Sequence, residues 1–499
     1  MSFGHDPQRS GWAMAEKTLT IENVAALELK WKVQVENEPK SLTALTAPVV
    51  ASEVTTTQGI KTLVYVAGSS NHLFALDAEN GKVVWSRIFE SFAVPKHESN
   101  WLCPQGINAT PVIDKRTATI YTIVMDGRLY GLDLGTGRTK FGPIQFVPPF
   151  SKNWSLNLAD GILYTSLSQN CGGGTSGLYA IDTRDPFRPA IQCLLVAGGK
   201  GAPAGIWGRG GPVIGNNGRI YAATGDGDFD PPSGAFGSSV VAASPGHLKV
   251  VDYYTPNNWR EMNRYDWDLG CTSPVFFSYG SYSLLALGGK EGVVYLLNAE
   301  SLGDKDHHTP LFVTPRLAND EGSFEGKGVW GGLSFWRDEQ GQPWIYVPIW
   351  GPISTNAPRF PKTNGANPHG SIMAFKVAID GSTQKPVLEP AWLSGNFNVP
   401  EPVVIANGVV FALSNGEDVR QSKEGGTNLD QPNLPDAERL ANPNRAVLYA
   451  LDAKTGKLLY ESGRAMDNWA HFSGLALANG RVFAVDHESR VYCFGLKGK

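Results

Sequence analysis

The chain has 499 residues, a mass of 53.8 kDa and a formal net charge of −4, with a sequence pI near 6.2. This charge argues against a nucleic-acid partner, because phosphate binding needs clustered lysine and arginine. No apolar run reaches the roughly 18 residues that cross a bilayer, and the start MSFGHDPQRSGW lacks the regions of a signal peptide. The 57 glycines and 33 prolines are scattered without a period, which is typical of many short strands joined by turns.

The first predicted element is a strand over Leu27 to Val35, LELKWKVQV, which has no repeat unit of its own. A repeated phrase then follows, in which apolar and aromatic residues precede Asp, a turn with Gly, and a second apolar stretch. The eight copies start at Leu73, Leu129, Leu178, Leu248, Val294, Ile372, Leu448 and Val491. Each copy predicts a hairpin, because Asp or Asn with Gly supplies the tight turn between two alternating strands.

A further strand pair precedes most copies, as in TPVIDKRTATIYTIV and EPVVIANGVVFALS. Each unit therefore has four antiparallel strands, and eight such units predict an all-β, eight-bladed β-propeller that forms one domain over residues 1–499. The last copy has no outer strand after it, so we expect the N-terminal strand to complete that blade and close the ring. Pro352 to His369 and Asp418 to Asn444 are rich in Gly, Pro and Asn, and we expect them to be loops on a rim.

The repeats, together with GHDPQRSGW, GIWGRGGPV, YAATGDGDFD, YDWDLGCTSPV and GGKEGVVYLLN, resemble the PQQ-dependent (quinoprotein) alcohol dehydrogenase-like propellers and their PQQ-like repeat relatives. The resemblance covers almost the entire chain. It implies an axial funnel that holds PQQ, a calcium or lanthanide ion and an aspartate base.

Carried over by position, the resemblance makes Trp207 the residue on which the quinone stacks and Asp226 a metal ligand. Asp268 is similar to the catalytic base and is also a candidate metal ligand, with Asp266 close by. Lys290 looks like the cation that contacts the quinone. Two facing carboxylates would repel, and one would then hold a raised pKa suited to proton transfer. The other interpretations are a core tryptophan between blades for Trp207 and a solvated turn lysine for Lys290.

The chain departs from the family pattern in three places. The stretch QNCGGGTSG offers no carboxylate where the family has a metal-binding glutamate, and Cys103 has no adjacent cysteine to form the ring of the characteristic dehydrogenases. No cytochrome motif is present. The five cysteines form no CxxC motif, which excludes ordinary zinc sites. A disulfide between Cys171 and Cys193, the nearest pair, and buried free cysteines are both open.

Several other groups have open interpretations. Asp226, Asp228 and Asp230 are spaced like a loose cation loop but lack the rest of an EF-hand. Adjacent His307 and His308 point opposite ways in an extended segment and are expected in a solvated loop. His471 either faces the funnel or is a core or rim histidine. Four loop tryptophans are candidates for lining an aromatic pocket: Trp101, Trp330, Trp336 and Trp350.

The leading hypothesis is an oxidoreductase that oxidises an alcohol or aromatic alcohol with PQQ and Ca²⁺, passing electrons to an external acceptor. The first alternative is a cofactor-free lyase, isomerase or hydrolase of aromatic small molecules. The second is a non-catalytic binding propeller, because fold alone does not fix function. The resemblance also implies a periplasmic or secreted protein, so this chain would be a mature or trimmed form.

Overall fold

The computed structural model describes residues 1–92, 103, 106–185, 187–198 and 204–498. They form eight sheets arranged as blades around one axis, all antiparallel except for the parallel pair Lys362–Thr363 with Pro386–Leu393 in blade 6. The innermost strand of each blade contacts that of the next blade through most of the ring, and the first blade contacts the last. The predicted all-β, eight-bladed propeller is therefore confirmed.

The first four blades use residues 49 to 254. The strands of blade 1 are Val49–Thr56, Gly59–Gly68, His72–Asp77 and Val83–Ile88. Those of blade 2 are Val112–Asp114, Thr119–Ile123, Arg128–Asp133 and Thr139–Gln145. Those of blade 3 are Lys152–Asn153, Asn157–Ala159, Ile162–Ser168, Gly177–Asp182 and Ile191–Leu195. Those of blade 4 are Val213–Ile214, Ile220–Ala223, Val240–Ala243 and Val250–Tyr254.

The last four blades run from residue 275 to the C-terminus. The strands of blade 5 are Val275–Tyr279, Tyr282–Gly288, Val294–Asn298 and Phe312–Val313. Those of blade 6 are Gly328–Val329, Ser334–Arg337, Pro343–Trp350, Gly370–Ile379, Pro386–Leu393 and Lys362–Thr363. Those of blade 7 are Val404–Ala406, Val409–Ser414, Val447–Asp452 and Leu458–Glu461. Those of blade 8 are Ala476–Ala478, Arg481–Val485, Arg490–Leu496 and Leu27–Gln34.

Short elements fill the connections between these strands. Two strand pairs lie outside the blades, Phe229–Asp230 with Ala235–Phe236 and the parallel pair Thr272–Ser273 with Gly331–Gly332. The α-helices of the described residues are Trp259–Tyr265 and Asp436–Arg439, and the 3-10 helices are Val24–Ala26, Cys171–Gly173, Pro231–Ser233 and Asp304–Asp306. No helix of the described residues is long and apolar enough to cross a membrane.

The N-terminal strand closes the ring as predicted. Leu27–Gln34 pairs antiparallel with Arg490–Leu496, from Leu27 opposite Leu496 to Gln34 opposite Arg490. This pairing gives the last blade its fourth strand and covers the edge that the C-terminal strand would otherwise expose.

The core lies between blades and follows the period of two in each strand. In Gly59–Gly68, Leu63 and Tyr65 pack toward blade 2, whereas Val64 packs toward blade 8. Successive side chains of a strand point to opposite faces, so each sheet buries both of its faces against its neighbours. This explains why the middle strands are apolar at almost every position.

Tryptophans on the outer strands of blades 8, 1 and 6 each contact a turn of the next blade in the ring. Trp31 donates from Nε1 to the Ala78 carbonyl (3.0 Å), and its ring lies where a Cβ on Gly81 would stand. Trp85 repeats this contact on Leu134 and Gly137, and Trp392 on Ala453 and Gly456. The glycine of the repeated phrase is thus also a docking point for a neighbouring blade.

Residues 1–16 bond to the innermost strands of several blades. Backbone amides on innermost strands donate to carbonyls of residues 1 to 11, and these amides belong to Ile113, Ile214, Phe276, Phe335 and Ile405. Arg9 is buried and donates to the Phe3 and Leu156 carbonyls. The N-terminal segment is therefore hydrogen-bonded to the innermost strands of blades 2, 4, 5, 6 and 7.

Two sequence expectations need correction in detail. In blade 4 the repeated phrase from Leu248 covers only the outer strand, because the hairpin begins at Val240 and turns over 244–249. Blades 3 and 6 have more than four strands because extra short segments pair at their edges.

The excursions 352–369 and 418–444 are largely exposed connections between the second and third main strands of blades 6 and 7, although the second contains a helix and buried Arg439.

Candidate functional site

The candidate site is built from segments at one end of the ring. Trp207, Asp268 and His471 precede the innermost strands of blades 4, 5 and 8, whereas Asp226 and Lys290 follow the second strands of blades 4 and 5. In an antiparallel blade, the start of the first strand and the end of the second lie at the same end. The order of the strands therefore brings these residues together.

Asp226, Asp266, Asp268 and Lys290 form a single group, which we call the acid cluster. One carboxylate oxygen from each aspartate lies within 4.8 Å of the others. Lys290 Nζ is 3.1 Å from Asp266 Oδ2 and also pairs with Asp268. Asp266 ends the helix Trp259–Tyr265 in a left-handed conformation, and its amide bonds back to that helix. The end of this helix thus directs Asp266 toward Asp268 and Lys290.

Burial and mutual repulsion raise the pKa of two of these carboxyl groups. Burial raises the pKa of Asp226 to about 6, with a further contribution from Asp266 and an opposing one from Lys290. The pKa of Asp268 is raised well above its usual value by burial and by the charges of Asp226 and Asp266. Asp268 is 3% exposed. These environments favour proton binding at Asp268 and Asp226.

Lys290 is held in its charged form by the same carboxylates. Burial lowers the pKa of Lys290, but Asp266, Asp268 and Asp226 raise it, and the net shift is upward. Its Nζ also lies 5.4 Å from the centroid of the Trp330 ring. Lys290 is therefore a buried, permanent cation and not a solvated turn lysine.

Trp207 lies directly beside the acid cluster. A Cβ on Gly225 would stand 2.6 Å from both Trp207 Cη2 and Asp268 Oδ1, so that no larger residue fits between these two side chains. Gly205 approaches the ring from its Cζ3 edge. The ring is 9% exposed and belongs to a central cluster of aromatic side chains. Trp207 and the acid cluster therefore share one location.

The central cluster contains Trp154, Trp207, Trp330 and Trp350. Trp330 and Trp350 stack with ring centroids 4.8 Å apart. Two of the four predicted pocket tryptophans are thus brought together. Trp336 does not join them, because its strand buries it between blades 6 and 7, where it lines a separate pocket with Trp12, and Trp101 lies outside the described residues. Trp154 was missed, although it immediately precedes an innermost strand.

The donor set of the acid cluster suits a divalent cation. Asp268 Oδ1 is buried and has no hydrogen-bond partner among the described residues. Three aspartates and one lysine carry a formal charge of −2 when all are ionised, and carboxylate oxygens are the usual ligands of Ca²⁺. Asp228 and Asp230 do not join this group. The segment 169–174, where the family pattern has a metal-binding glutamate, contains no carboxylate, so it cannot add a fourth one to the acid cluster.

A second charged group lies next to the central cluster, where the His471 ring stacks on Phe472 with centroids 4.0 Å apart. His471 Nδ1 is 2.6 Å from Glu417 Oε2, and Arg439 Nη2 is 3.6 Å from Glu417 Oε1. We call Glu417, Arg439 and His471 the histidine cluster. The sequence did not predict the roles of Glu417 and Arg439. Arg439 lies within the excursion 418–444, which was expected to be a rim loop, and Glu417 directly precedes it. His471 precedes an innermost strand, and this position was a usable signal.

Arg209 interacts electrostatically with Glu417 of the histidine cluster and with Cys271, whose thiol donates to the Asp268 carbonyl. It forms a buried ion pair with Glu401, and its guanidinium carbon is 3.9 Å from the Phe472 ring centroid. Phe472 in turn packs against Trp154, with centroids 5.9 Å apart. Both residues of the pair were missed by the sequence analysis, although GIWGRGG and VPEPVV directly precede innermost strands.

The cysteine and histidine expectations are settled by geometry. Cys103 and Cys171 form a disulfide, and Cys193 is free and exposed on an outer strand. The pairing of Cys171 with Cys193 is therefore wrong, because distance in space and not in sequence decides it. His307 and His308 each bond through Nδ1 to a backbone carbonyl, of Tyr253 and Thr255 respectively, and do not share a site.

Comparisons with known proteins agree with this architecture. A family model matches residues 1–163. It is named PQQ and described as the β-propeller domain of glucose/ethanol/alcohol dehydrogenases. No curated protein sequence matches the chain. The resemblance to quinoprotein dehydrogenase-like propellers is confirmed by this model together with the solved structures that share the fold.

Three solved structures illustrate the likeness. The quinohemoprotein alcohol dehydrogenase from Comamonas testosteroni is 14% identical with a TM-score of 0.61, and the match covers 100% of this chain and 80% of that one. The quinohemoprotein alcohol dehydrogenase ADHIIG from Pseudomonas putida HK5 is 15% identical with a TM-score of 0.59, and the match covers 100% of this chain and 80% of that one. A europium-containing methanol dehydrogenase is 13% identical with a TM-score of 0.59, and the match covers 99% of this chain and 97% of that one. These TM-scores establish a shared fold. Because the identities are low, the activity of this chain has to be argued from its own site residues.

Proposed function

We propose that the protein is an oxidoreductase that oxidises an alcohol or aromatic alcohol with PQQ and a divalent cation in the axial funnel. The observation that carries the proposal is the convergence of Asp268, Lys290 and Trp207 at one point, within contact of a carboxylate group that suits Ca²⁺. Asp226, Asp266 and Asp268 would hold the cation, and Trp207 would support the ring.

PQQ would supply a two-electron acceptor, and the cation would supply a Lewis acid. Asp268 would accept the hydroxyl proton of the substrate at Oδ1, the buried oxygen that has no partner among the described residues. Lys290 would stabilise negative charge that develops beside it, since its own charge is fixed by the neighbouring carboxylates. The central tryptophans exclude water and offer flat apolar walls to an aromatic substrate.

We further propose that the protein works in the periplasm or outside the cell and passes electrons to an external acceptor. The disulfide between Cys103 and Cys171 supports an oxidising compartment.

The test is reconstitution of the purified chain with PQQ, with and without Ca²⁺, followed by dye-linked oxidation of aliphatic and benzylic alcohols. We expect quinone absorbance to be retained after gel filtration and dye reduction to require both additions. A chain that retains no quinone under either condition would refute the oxidoreductase proposal.

A second candidate is an acid–base enzyme that uses no redox cofactor, such as a lyase, isomerase or hydrolase of aromatic compounds. It is favoured by the missing carboxylate in segment 169–174 and by the raised pKa of Asp268 beside a fixed ammonium. Turnover of an aromatic substrate without PQQ, abolished by Asp268→Asn, would support this candidate. A non-catalytic propeller would bind a ligand but turn over nothing.

A further inference from the structure

The outer strand of blade 3, Ile191–Leu195, has one unpaired edge. Its other edge pairs antiparallel with Gly177–Asp182. The Ala190 carbonyl and the Val196 amide, on either side of the strand, both bond toward that inner neighbour. Because the bonding direction alternates from residue to residue in an antiparallel pair, every second residue turns its amide and carbonyl to the free edge. These residues are Ile191, Cys193 and Leu195.

This outer strand lacks the features that protect other edges. Charged residues, prolines or very short length usually keep an edge strand from pairing with another chain. The strand Ile191–Leu195 reads IQCLL, with neither a charge nor a proline. In the part of the chain that the structure describes, the outer strand of blade 5 has only two residues. The other outer strands carry Arg87, Lys140, Asp252, Glu389, Glu461 and Lys32, in blades 1, 2, 4, 6, 7 and 8.

The free edge of blade 3 is also apolar and exposed. Successive side chains alternate between the faces of a strand, so Ile191, Cys193 and Leu195 share one face. Ile191 is 40% exposed, Leu195 is 36% exposed and the Cys193 thiol is free and exposed. Phe187, four residues before the strand, is 92% exposed. Apolar side chains that are exposed together mark a contact surface for another protein.

We propose that this strand pairs antiparallel with the same strand of a second copy of the chain, across a two-fold axis at Cys193. Cys193 is the middle residue of Ile191–Leu195. The pairing therefore places Cys193 opposite its own counterpart and Ile191 opposite Leu195 of the second copy. Each outward amide then meets a carbonyl, and apolar side chains meet along the whole strand. One surface serves both copies, as a closed two-fold dimer requires.

Charges at the two ends of the strand fit this antiparallel arrangement. Arg188 stands before the strand, and Asp230 lies beyond its far end, because Asp230 pairs with Ala235 and Ala235 pairs with Ala197. Arg188 and Asp230 are exposed, and neither forms an ion pair with another described residue. Antiparallel pairing brings the start of one strand to the end of the other. Arg188 of each copy thus approaches Asp230 of the other copy.

The dimer leaves the funnel open, because the strand lies at the outer margin of its blade and the acid cluster lies near the axis. The proposal therefore does not depend on the oxidoreductase assignment. It needs no cofactor and no metal. A contact between two strands of five residues is small, so we expect a dimer that forms at roughly micromolar concentrations and dissociates on dilution.

The first test measures the mass of the wild-type chain by sedimentation equilibrium without PQQ or Ca²⁺. We expect about twice 53.8 kDa at concentrations of roughly 100 µM and a smaller mass on dilution. A chain that stays monomeric at that concentration would refute the proposal, whatever the outcome of quinone binding.

The second test maps the contact with oxidised glutathione. Two Cys193 thiols lose two protons and two electrons and form one disulfide, while oxidised glutathione is reduced to two molecules of glutathione. Opposed residues of an antiparallel pair have Cα atoms about 5.5 Å apart, which a disulfide can span. We expect peptide mass spectrometry to find Cys193 linked to Cys193 of the second copy. A dimer without this link would have another interface and would contradict the proposal.

Variants test the strand and the charges separately. Cys193→Lys places two like charges opposite each other and should weaken dimerisation about tenfold or more. The control is Val251→Lys, which alters a residue that is 48% exposed on the outer strand of blade 4 and should dimerise like the wild type. Arg188→Glu should also weaken the dimer, and adding Asp230→Arg should restore it. An unaltered Cys193→Lys dimer, or no restoration, would overturn the proposal, and the wild-type measurements decide it even if a variant does not fold.

Discussion

At the scale of single residues, the site depends on how four charges are arranged around one buried oxygen. Three aspartates exceed one lysine, so repulsion and burial raise the pKa of Asp226 and Asp268 while Lys290 stays charged. Asp268 is the most buried of the three carboxylates. It is therefore the group whose removal should affect turnover most.

Under the proposed alcohol oxidation, Asp268→Asn should lower the kcat of the chain supplied with PQQ and Ca²⁺ about a thousandfold, because an amide cannot accept the hydroxyl proton. The matched control is Asp182→Asn, which alters a carboxylate paired with Arg184 at the end of a blade 3 strand. That control should retain wild-type kcat. Equal activity of the Asp268→Asn variant and the wild type would exclude Asp268 as the base.

The sequence predicted part of this site because the resemblance acts on local motifs. Trp207, Asp226, Asp268 and Lys290 each stand within a short recognisable phrase, and the structure brings them together. Glu401, Glu417 and Arg439 carry no such phrase, and Arg209 lies within GIWGRGGPV but was not singled out there. Their pairing joins residues far apart in the chain, and only the closed ring determines which of them meet.

At the scale of elements, the N-terminal segment is the part whose position the strand pattern did not predict. It has no alternation of its own and obtains its hydrogen bonds from five innermost strands. His5 in this segment has a buried Nε2 without a partner among the described residues. Burial and the N-terminal amine lower the pKa of His5 to about 4.

Acid should therefore loosen the N-terminal segment. The unfolded chain binds a proton at His5 near pH 6.5, but the folded chain does so only near 4, so stability falls as the pH drops from about 6.5 toward 4. At pH 5 this costs about 1–2 kcal/mol. His5→Gln should reduce the loss of unfolding free energy between pH 7 and pH 5, measured by urea titration. An unchanged loss would show that His5 is solvated.

The disulfide is a second test at this scale. Cys103 and Cys171 close a loop with a sequence separation of 68, and opening a loop of this length should cost about 4 kcal/mol. Cys103→Ser should lower the melting temperature to that of the chain treated with dithiothreitol. Cys193→Ser, which alters an exposed free thiol, should melt like the wild type. A destabilised Cys193→Ser variant would instead favour the alternative pairing.

At the scale of the whole molecule, the ring could be predicted because its repeat is visible in the sequence as eight copies of one phrase. Alternating strands and Gly-containing turns predict hairpins, and sheets that cannot bury their faces alone predict neighbours on both sides. The phase of blade 4 was misjudged because its inserted hairpin, Phe229–Asp230 with Ala235–Phe236, separates the second strand from the third. Extra edge strands in blades 3 and 6 are too short to leave a pattern.

Ring closure predicts that the seam is as strong as an internal junction. Trp31 crosses the seam between blades 8 and 1, and Trp85 makes the same contacts between blades 1 and 2. Trp31→Ala and Trp85→Ala should each lower the free energy of unfolding by about 2–3 kcal/mol. Urea titration of both variants provides the comparison. A much smaller loss for Trp31→Ala would indicate an open seam.

The central claim is that Asp226, Asp266 and Asp268 together form a divalent-cation site in the funnel. Calorimetric titration of the purified chain with Ca²⁺ tests it most directly, with Asp268→Asn as the altered site and Asp182→Asn as the control. We predict one Ca²⁺ per chain for the wild type and the control, and loss of most of the affinity in Asp268→Asn. No binding to the wild type, or equal binding to Asp268→Asn, would contradict the account.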